Sequence, residues 1–185
     1  MKKTIFIVFL IFAVNPLFSQ IGIKGGLNFS NLNNSDFDNL SGFQVGLFLH
    51  FKLSKTVHLN TGFNYSQKGF IIPKSILGAP LDGEEVSINY IEIPVNFAFH
   101  IKTGQQSSVF AQAGPYLAIE ISGDASEATD YGLNFGVGFE YMQLQIAFNY
   151  GLGLNQVVSN YQIRIFSVTV AGYFQSTHSN NAEAY

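Results

Sequence analysis

The chain has 185 residues, one domain's worth, with a formal charge of −3, no cysteine and no tryptophan. Apolar types make up 47% and charged types only 11%, against about a quarter charged in an ordinary soluble domain, yet no segment past the N-terminus is a continuous apolar run of helical spanning length. The lack of cysteine excludes a disulfide framework, a thiolate metal site, a cysteine nucleophile and lipid attachment at an N-terminal cysteine, and nothing in the acidic balance resembles a nucleic-acid-binding stripe.

The first residues predict a secretory signal. Lys2 and Lys3 form a positive start, Thr4 to Val14 an apolar stretch, and Asn15 to Gln20 a polar exit containing Pro16. The apolar stretch is too short to span a bilayer comfortably, so cleavage after Ser19 or Gln20 is expected, with an uncleaved anchor as the alternative. The chain then divides into a signal peptide over 1–19, a barrel over 20–175 and a polar tail over 176–185. Removing Lys2 and Lys3 takes the charge from −3 to −5.

From there on, apolar and polar residues alternate with period two, the mark of a strand. Eight runs are expected, near 21–31, 42–53, 57–70, 87–101, 108–121, 130–141, 143–155 and 162–175. Their lengths suit the roughly nine to eleven residues of a tilted membrane crossing. In the second run Phe43, Val45, Leu47, Leu49, Phe51 and Leu53 alternate with Gln44, Gly46, Phe48, His50 and Lys52. In the sixth, Tyr131, Leu133, Phe135, Val137, Phe139 and Tyr141 alternate with Gly132, Asn134, Gly136, Gly138 and Glu140. Pro94 and Pro115 fall inside runs and lack a ladder donor, which places each at a bulge. Tight connections are expected at Ser54-Lys55-Thr56, at 102–107 and at Met142, and longer acidic ones at 31–41, 72–86, 122–129 and 156–161. Short turns alternating with long loops are the plan of an outer-membrane barrel. An even strand count puts both termini on the short-turn side.

The composition of the two faces decides their orientation. A soluble barrel wears its polar face outside and needs Lys, Glu and Thr there. Here the polar face is rich in Gly, Ala, Ser, Asn and Gln, which suit the narrow lumen of an eight-stranded barrel. The apolar face is long and aromatic, with rings toward both ends of the runs: Phe51, Phe99, Tyr141 and Phe174 by the short turns, and Phe29, Phe43, Tyr65, Tyr131 and Tyr150 by the long loops. Two aromatic girdles mark the two membrane interfaces. Asp36, Asp38, Asp82, Glu84, Glu85, Asp124, Glu127 and Asp130 fall in or beside the long loops. The expected fold is an all-β, eight-stranded antiparallel up-and-down transmembrane barrel.

The stretches "IGIKGGLNFSNL", "GFQVGLFLHFKLS", "NYIEIPVNFAFHI", "VFAQAGPYLAIEIS" and "DYGLNFGVGFEY" resemble the PorT-type outer-membrane β-barrel family of Bacteroidota. The resemblance runs from about Ile21 to Phe174. It implies an eight-stranded barrel of the outer membrane, in a family whose named member is linked to type IX secretion and gliding and most of whose members have no assigned activity. Chains of that family often stop at an aromatic just after the last strand, whereas here Phe174 is followed by a polar segment ending in Tyr185. Either Phe174 or Tyr185 would then serve as the signal for barrel assembly.

Several polar residues fall on the inward phase. His50, His58 and His100 lie near the short-turn ends of neighbouring runs, and a turn at Ser54-Lys55-Thr56 sets Lys52 opposite His58 and His50 opposite Asn60. Imidazoles so placed can bind Zn²⁺ or titrate together; the plainer expectation is the filling of a wet lumen, because the spacing matches no metal motif. Lys24, Lys52, Lys68, Glu92, Glu120 and Glu140 share that phase. They make either an ion path or an ion-pair plug, and a narrow lumen favours the plug, with Glu92 paired to Lys24 or Lys68. No nucleophile elbow, zinc-protease helix or phosphate loop is present, and no cofactor is expected. The expected function is a non-enzymatic outer-membrane barrel with a structural, interaction or secretion-accessory role, working through its outer loops or envelope partners. Its other expected partners are outer-membrane lipid and the barrel-assembly machinery. Two alternatives stand beside it: a secreted soluble barrel carrying a lipid or other apolar ligand, and an acyltransferase acting on the outer leaflet.

Overall fold

A computed structural model of the chain describes residues 19–32, 38–72, 84–123, 129–155 and 162–174. The expected signal peptide, the tail and most of the four long connections lie outside these residues. Eight strands run β1 (Ser19–Leu32), β2 (Asp38–Lys52), β3 (Val57–Ile72), β4 (Glu84–Lys102), β5 (Ser107–Ser122), β6 (Thr129–Tyr141), β7 (Leu144–Gly153) and β8 (Ile163–Phe174). Each pairs antiparallel with its neighbours in sequence, and β8 returns to β1, so the sheet closes in the order β1 to β8. Closure leaves no sheet edge to be satisfied in lipid.

Orientation follows the alternation. Ile21, Ile23, Leu27, Phe43, Val45, Leu47, Phe97, Phe99, Phe135 and Val137 face outward and are exposed, while Asn28, Gln44, Asn60, Asn64, Asn96 and Gln145 are buried inside. Among the rings expected at the two interfaces, Phe43 packs on Tyr65 with centroids 5.5 Å apart, and Phe99, Tyr141 and Phe174 stand exposed at the short-turn end. A soluble barrel carrying an apolar ligand needs this aromatic face inside, and the structure puts it outside.

The strands on the long-loop side reach further than the alternation marks. β2 begins at Asp38 rather than at 42, β3 runs to Ile72 rather than 70, and β4 begins at Glu84 rather than 87. The 19 residues of β4 reach about 48 Å along the barrel axis, taking about 3.3 Å per residue and a tilt of about 40°. A barrel's apolar band is only about 25 Å tall, so the sheet projects well past it. The outer face changes character there. Beyond Tyr65 it carries Gln67, Ser87 and Asn89, tied as Tyr65 Oη to Asn89 Oδ1 at 2.8 Å and Gln67 Nε2 to Ser87 Oγ at 2.9 Å. The inner face changes in the opposite sense: Phe70, Ile88, Tyr90, Tyr116, Ala118, Ile163 and Ile165 form an apolar cluster inside the bore. Once the outer wall meets water instead of lipid, the sheet buries its apolar residues inside, as any soluble barrel does.

The prolines correct one expectation. Neither Pro94 nor Pro115 lies at a register shift. The β4–β5 shift falls between Asn89 and Tyr90, and that of β2–β3 between Asn39 and Gln44. Around the prolines the ladder opens without slipping, since Pro94↔Tyr116 and Phe97↔Ala113 keep one register. Two donors are lost at one place, and the intact ladders on either side hold the alignment. On the other flank of Pro94 the pairs between Thr61↔Val95 and Asn64↔Glu92 are missing. That gap holds Gly62, whose φ is +155° and whose added Cβ would sit 2.0 Å from the Leu47 carbonyl oxygen. Gly62→Val is expected to cost at least about 1–3 kcal/mol, because this backbone region is essentially restricted to glycine. Urea unfolding in lipid vesicles measures it, and a loss under 0.5 kcal/mol, the size of a neutral surface change, would contradict the strain.

The short turns also differ slightly from expectation. Leu53 joins Ser54, Lys55 and Thr56 in the connection to β3, and Ser54 Oγ accepts from Thr56 N at 3.2 Å and Val57 N at 2.9 Å. Between β6 and β7 the turn is Met142-Gln143, closing on the pair Tyr141↔Leu144. Met142 has φ +54°, a left-handed conformation that costs a side chain about 1–2 kcal/mol. Replacing Met142 with Gly is expected to raise the urea midpoint; a lower midpoint would show that the methionine side chain contributes more than the strain costs.

Candidate functional site

The inward phase fills the bore in three layers. The middle layer is amide-rich. Asn60 Nδ2 donates to Gln112 Oε1 at 3.0 Å, Gln112 Nε2 to Asn149 Oδ1 at 2.7 Å, and Asn149 Nδ2 to Thr169 Oγ1 at 3.2 Å. This belt crosses the lumen from β3 through β5 and β7 to β8. A second chain runs from Gln44 Nε2 to Asn28 Oδ1 at 2.7 Å, and from Asn28 Nδ2 to Ser66 Oγ at 3.1 Å. Between them is a chamber of about 60 Å³, lined among others by Lys24, Glu92, Asn134 and Ser167. It has room for about four waters, taking roughly 15 Å³ for each.

Toward the long loops, the bore is shut by an ion cluster set in rings. Lys68 Nζ lies 2.8 Å from Glu92 Oε2 and 3.2 Å from Asp130 Oδ2. Its ammonium also sits over the Tyr116 ring at 4.6 Å and the Tyr90 ring at 5.1 Å, an arrangement in which the ring quadrupoles add to the attraction. Tyr116 Oη donates to Asp130 Oδ2 at 3.1 Å. Lys68 is 1% exposed and Asp130 0%, so these charges depend on one another rather than on water. Glu120 lies on the same phase, opposite Tyr90 in the β4–β5 ladder.

Toward the short turns, three histidines meet. Ring centroids are 4.8 Å apart for His50 and His58, 4.0 Å for His58 and His100, and 6.0 Å for His50 and His100. The register that brings them together is the expected one, Lys52↔His58 and His50↔Asn60. His50 stacks on Tyr173 at 5.2 Å, and its Nδ1 donates to Asn60 Oδ1 at 2.7 Å. His100 stacks on Phe110 at 4.9 Å, and its Nδ1 lies 3.1 Å from Ser108 Oγ and 3.8 Å from Glu140 Oε2. Gln145 Nε2 holds the same Glu140 oxygen at 2.6 Å. Lys52 is exposed at the mouth below. Among the described residues no group of His, Asp or Glu is placed to hold a metal ion.

Three of these features escaped sequence reasoning. Asp130, assigned above to the long-loop acids, is instead the buried partner of Lys68. The signal was available, because Asp130 keeps the inward phase of Gly132 and Asn134. Besides Phe48, which the alternation of β2 already places inward, the lumen holds the large rings Tyr90, Phe110, Tyr116 and Tyr173 among its small and amide side chains. The partners across the bore had no sequence signal at all.

No curated protein sequence matches the chain. Among solved structures, Ail of Yersinia pestis is similar at 9% identity and TM-score 0.48, over 85% of this chain and 100% of that one. The outer membrane enzyme PagL is similar at 12% identity and TM-score 0.46, over 83% and 97%. Neisserial surface protein A is similar at 14% identity and TM-score 0.57, over 84% and 97%, a likeness of fold. The sequence likeness is firmer: residues 13–159 match the family model described as outer membrane protein beta-barrel domain, and the chain belongs to that family.

Proposed function

We propose that this protein is a non-conducting, non-enzymatic barrel of the outer membrane that acts through the sheet it raises beyond the lipid and through partners in the envelope. One observation carries the proposal. The bore is occupied at three successive levels, by the Lys68 ion cluster, the amide belt and the histidine–tyrosine layer, while the strands on the long-loop side extend past the apolar band. A lumen so filled offers no ion path, since conduction needs sites that a hydrated ion can enter and leave. An interaction surface on rigid strands is what remains for function. The described histidines all lie at the short-turn end, which disfavours acyl transfer at the outer leaflet. Export by an N-terminal signal, insertion by the barrel-assembly machinery and a surround of outer-membrane lipid complete the proposal. The PorT-type resemblance gives it a finer form, a secretion-accessory role in a Bacteroidota envelope.

Cell fractionation tests the membrane part, with outer-membrane residence and heat-dependent gel mobility expected; a soluble periplasmic product without detergent would reject it. In planar bilayers the purified protein is expected to give no discrete conductance steps, and reproducible steps would reject the closed bore. Deleting the gene and scoring secretion, adhesion and envelope integrity separates the interaction roles.

A further inference from the structure

The short-turn end of the barrel opens into a cup of about 720 Å³. Its walls carry Lys52, Lys55 and Lys102, and His58 and His100 form its inner end. None of the three lysines pairs with a carboxylate among the described residues. The one carboxylate in the lining, Glu140, is already engaged by Gln145 at 2.6 Å and faces His100 at 3.8 Å. The histidines contribute a second, independent feature. His58 Nδ1 and His100 Nε2 are buried without a hydrogen-bond partner, on side chains only 6% and 3% exposed. Buried imidazole nitrogens with spare hydrogen-bonding capacity therefore stand behind three ammonium groups that have no carboxylate partner.

We propose that this cup receives an acidic peptide segment of an envelope protein. The assignment rests on the proposed function, since the short turns of an outer-membrane barrel face the periplasm. The volume exceeds that of a single inorganic anion, and Gln105, Gln106 and Gln143 in the lining offer amides that can pair with a peptide backbone. A lipid headgroup fits less well. The cup opens along the barrel axis, and a headgroup inside it would drag its acyl chains over the turns and out of the bilayer. Lysines act as point charges on flexible stems, so they accept carboxylates at varied spacing. Exposed charge pairs are screened by salt, so binding is expected to weaken as salt rises.

The test uses the full-length protein in phosphatidylcholine nanodiscs and a short fluorescent peptide alternating Glu and Gly, read by anisotropy. Saturable, salt-sensitive binding is expected, weakening at least about tenfold, which is about 1.4 kcal/mol, in K52Q/K55Q/K102Q. Inorganic phosphate at the peptide's concentration is expected not to displace it. The three lysines are surface residues, and unchanged heat-dependent mobility checks that the variant folds; should it not fold, K102Q and a salt titration of the wild type carry the test. Equal affinity in the lysine variant overturns the proposal, as does full displacement by phosphate or by the soluble headgroup glycerophosphoglycerol at the peptide's concentration, which would assign the cup to a phosphate group or a headgroup. Orientation is read separately. The chain has no cysteine, so K55C gives a unique thiol, and a membrane-impermeant reagent should label it only after the outer membrane is opened. Labelling in intact cells would overturn the periplasmic orientation while leaving the peptide affinity as measured.

Discussion

Leu47→Arg is expected to lower unfolding stability in lipid vesicles by about 2–4 kcal/mol, the cost of an arginine on the lipid face near the bilayer midplane. Leu47 lies midway along the outward row of β2, between Phe43 and Phe51, and is 53% exposed. Its neighbours in the ladders, Ile23 and Phe63, are also exposed and apolar, so the guanidinium finds no acceptor there. The same change on a barrel whose outer wall met water would be nearly silent, within about 0.5 kcal/mol. The measurement is a urea titration in vesicles, with Ser41→Arg as the companion. Ser41 is on the same outward row and pairs with Phe29 of the aromatic girdle, at the interface, where an arginine costs only about 0–1 kcal/mol. Equal effects at the two positions would mean that the apolar band does not lie where the exposed aromatics mark it.

Lys68→Met is expected to be more damaging, by about 3–5 kcal/mol, because it leaves buried carboxylates without their counter-charge. Glu92 and Asp130 both lean on the one ammonium, at 2.8 and 3.2 Å, and Asp130 is fully buried. Either the two acids repel inside the bore, or one takes up a proton and the cluster loses its geometry. The triple variant Lys68→Met, Glu92→Gln, Asp130→Asn removes the three paired charges of the cluster while keeping near-native volumes. It should recover most of the loss, since replacing a whole buried ion cluster is often neutral. Urea unfolding of the single and triple variants measures both. A single variant within about 1 kcal/mol of wild type, the range of an exposed ion pair, would show the cluster to be hydrated and the bore open at that level.

The period-two alternation determined a good deal. It marked eight crossings and their direction, and it put Leu47 and Val137 toward lipid and Asn60 and Lys68 toward the lumen. Where a turn is tight it set the register as well, which is why Lys52 faces His58 and His50 faces Asn60. The physical reason is local: side-chain phase is a property of one strand, and a short turn leaves no freedom to slip. The sheet's reach past the lipid was not legible, because there the apolar and polar faces exchange roles and the alternation that marks a membrane strand ends before the strand does.

The partners across the bore belonged to the tertiary structure alone. Lys68 and Asp130 are 62 residues apart in sequence, and the amide belt links β3 to β5 and β5 to β7, pairs of strands that share no ladder. Phase says only that a side chain points inward. Which inward residues meet depends on how far each strand is staggered when the sheet closes, a quantity set by all eight pairings together.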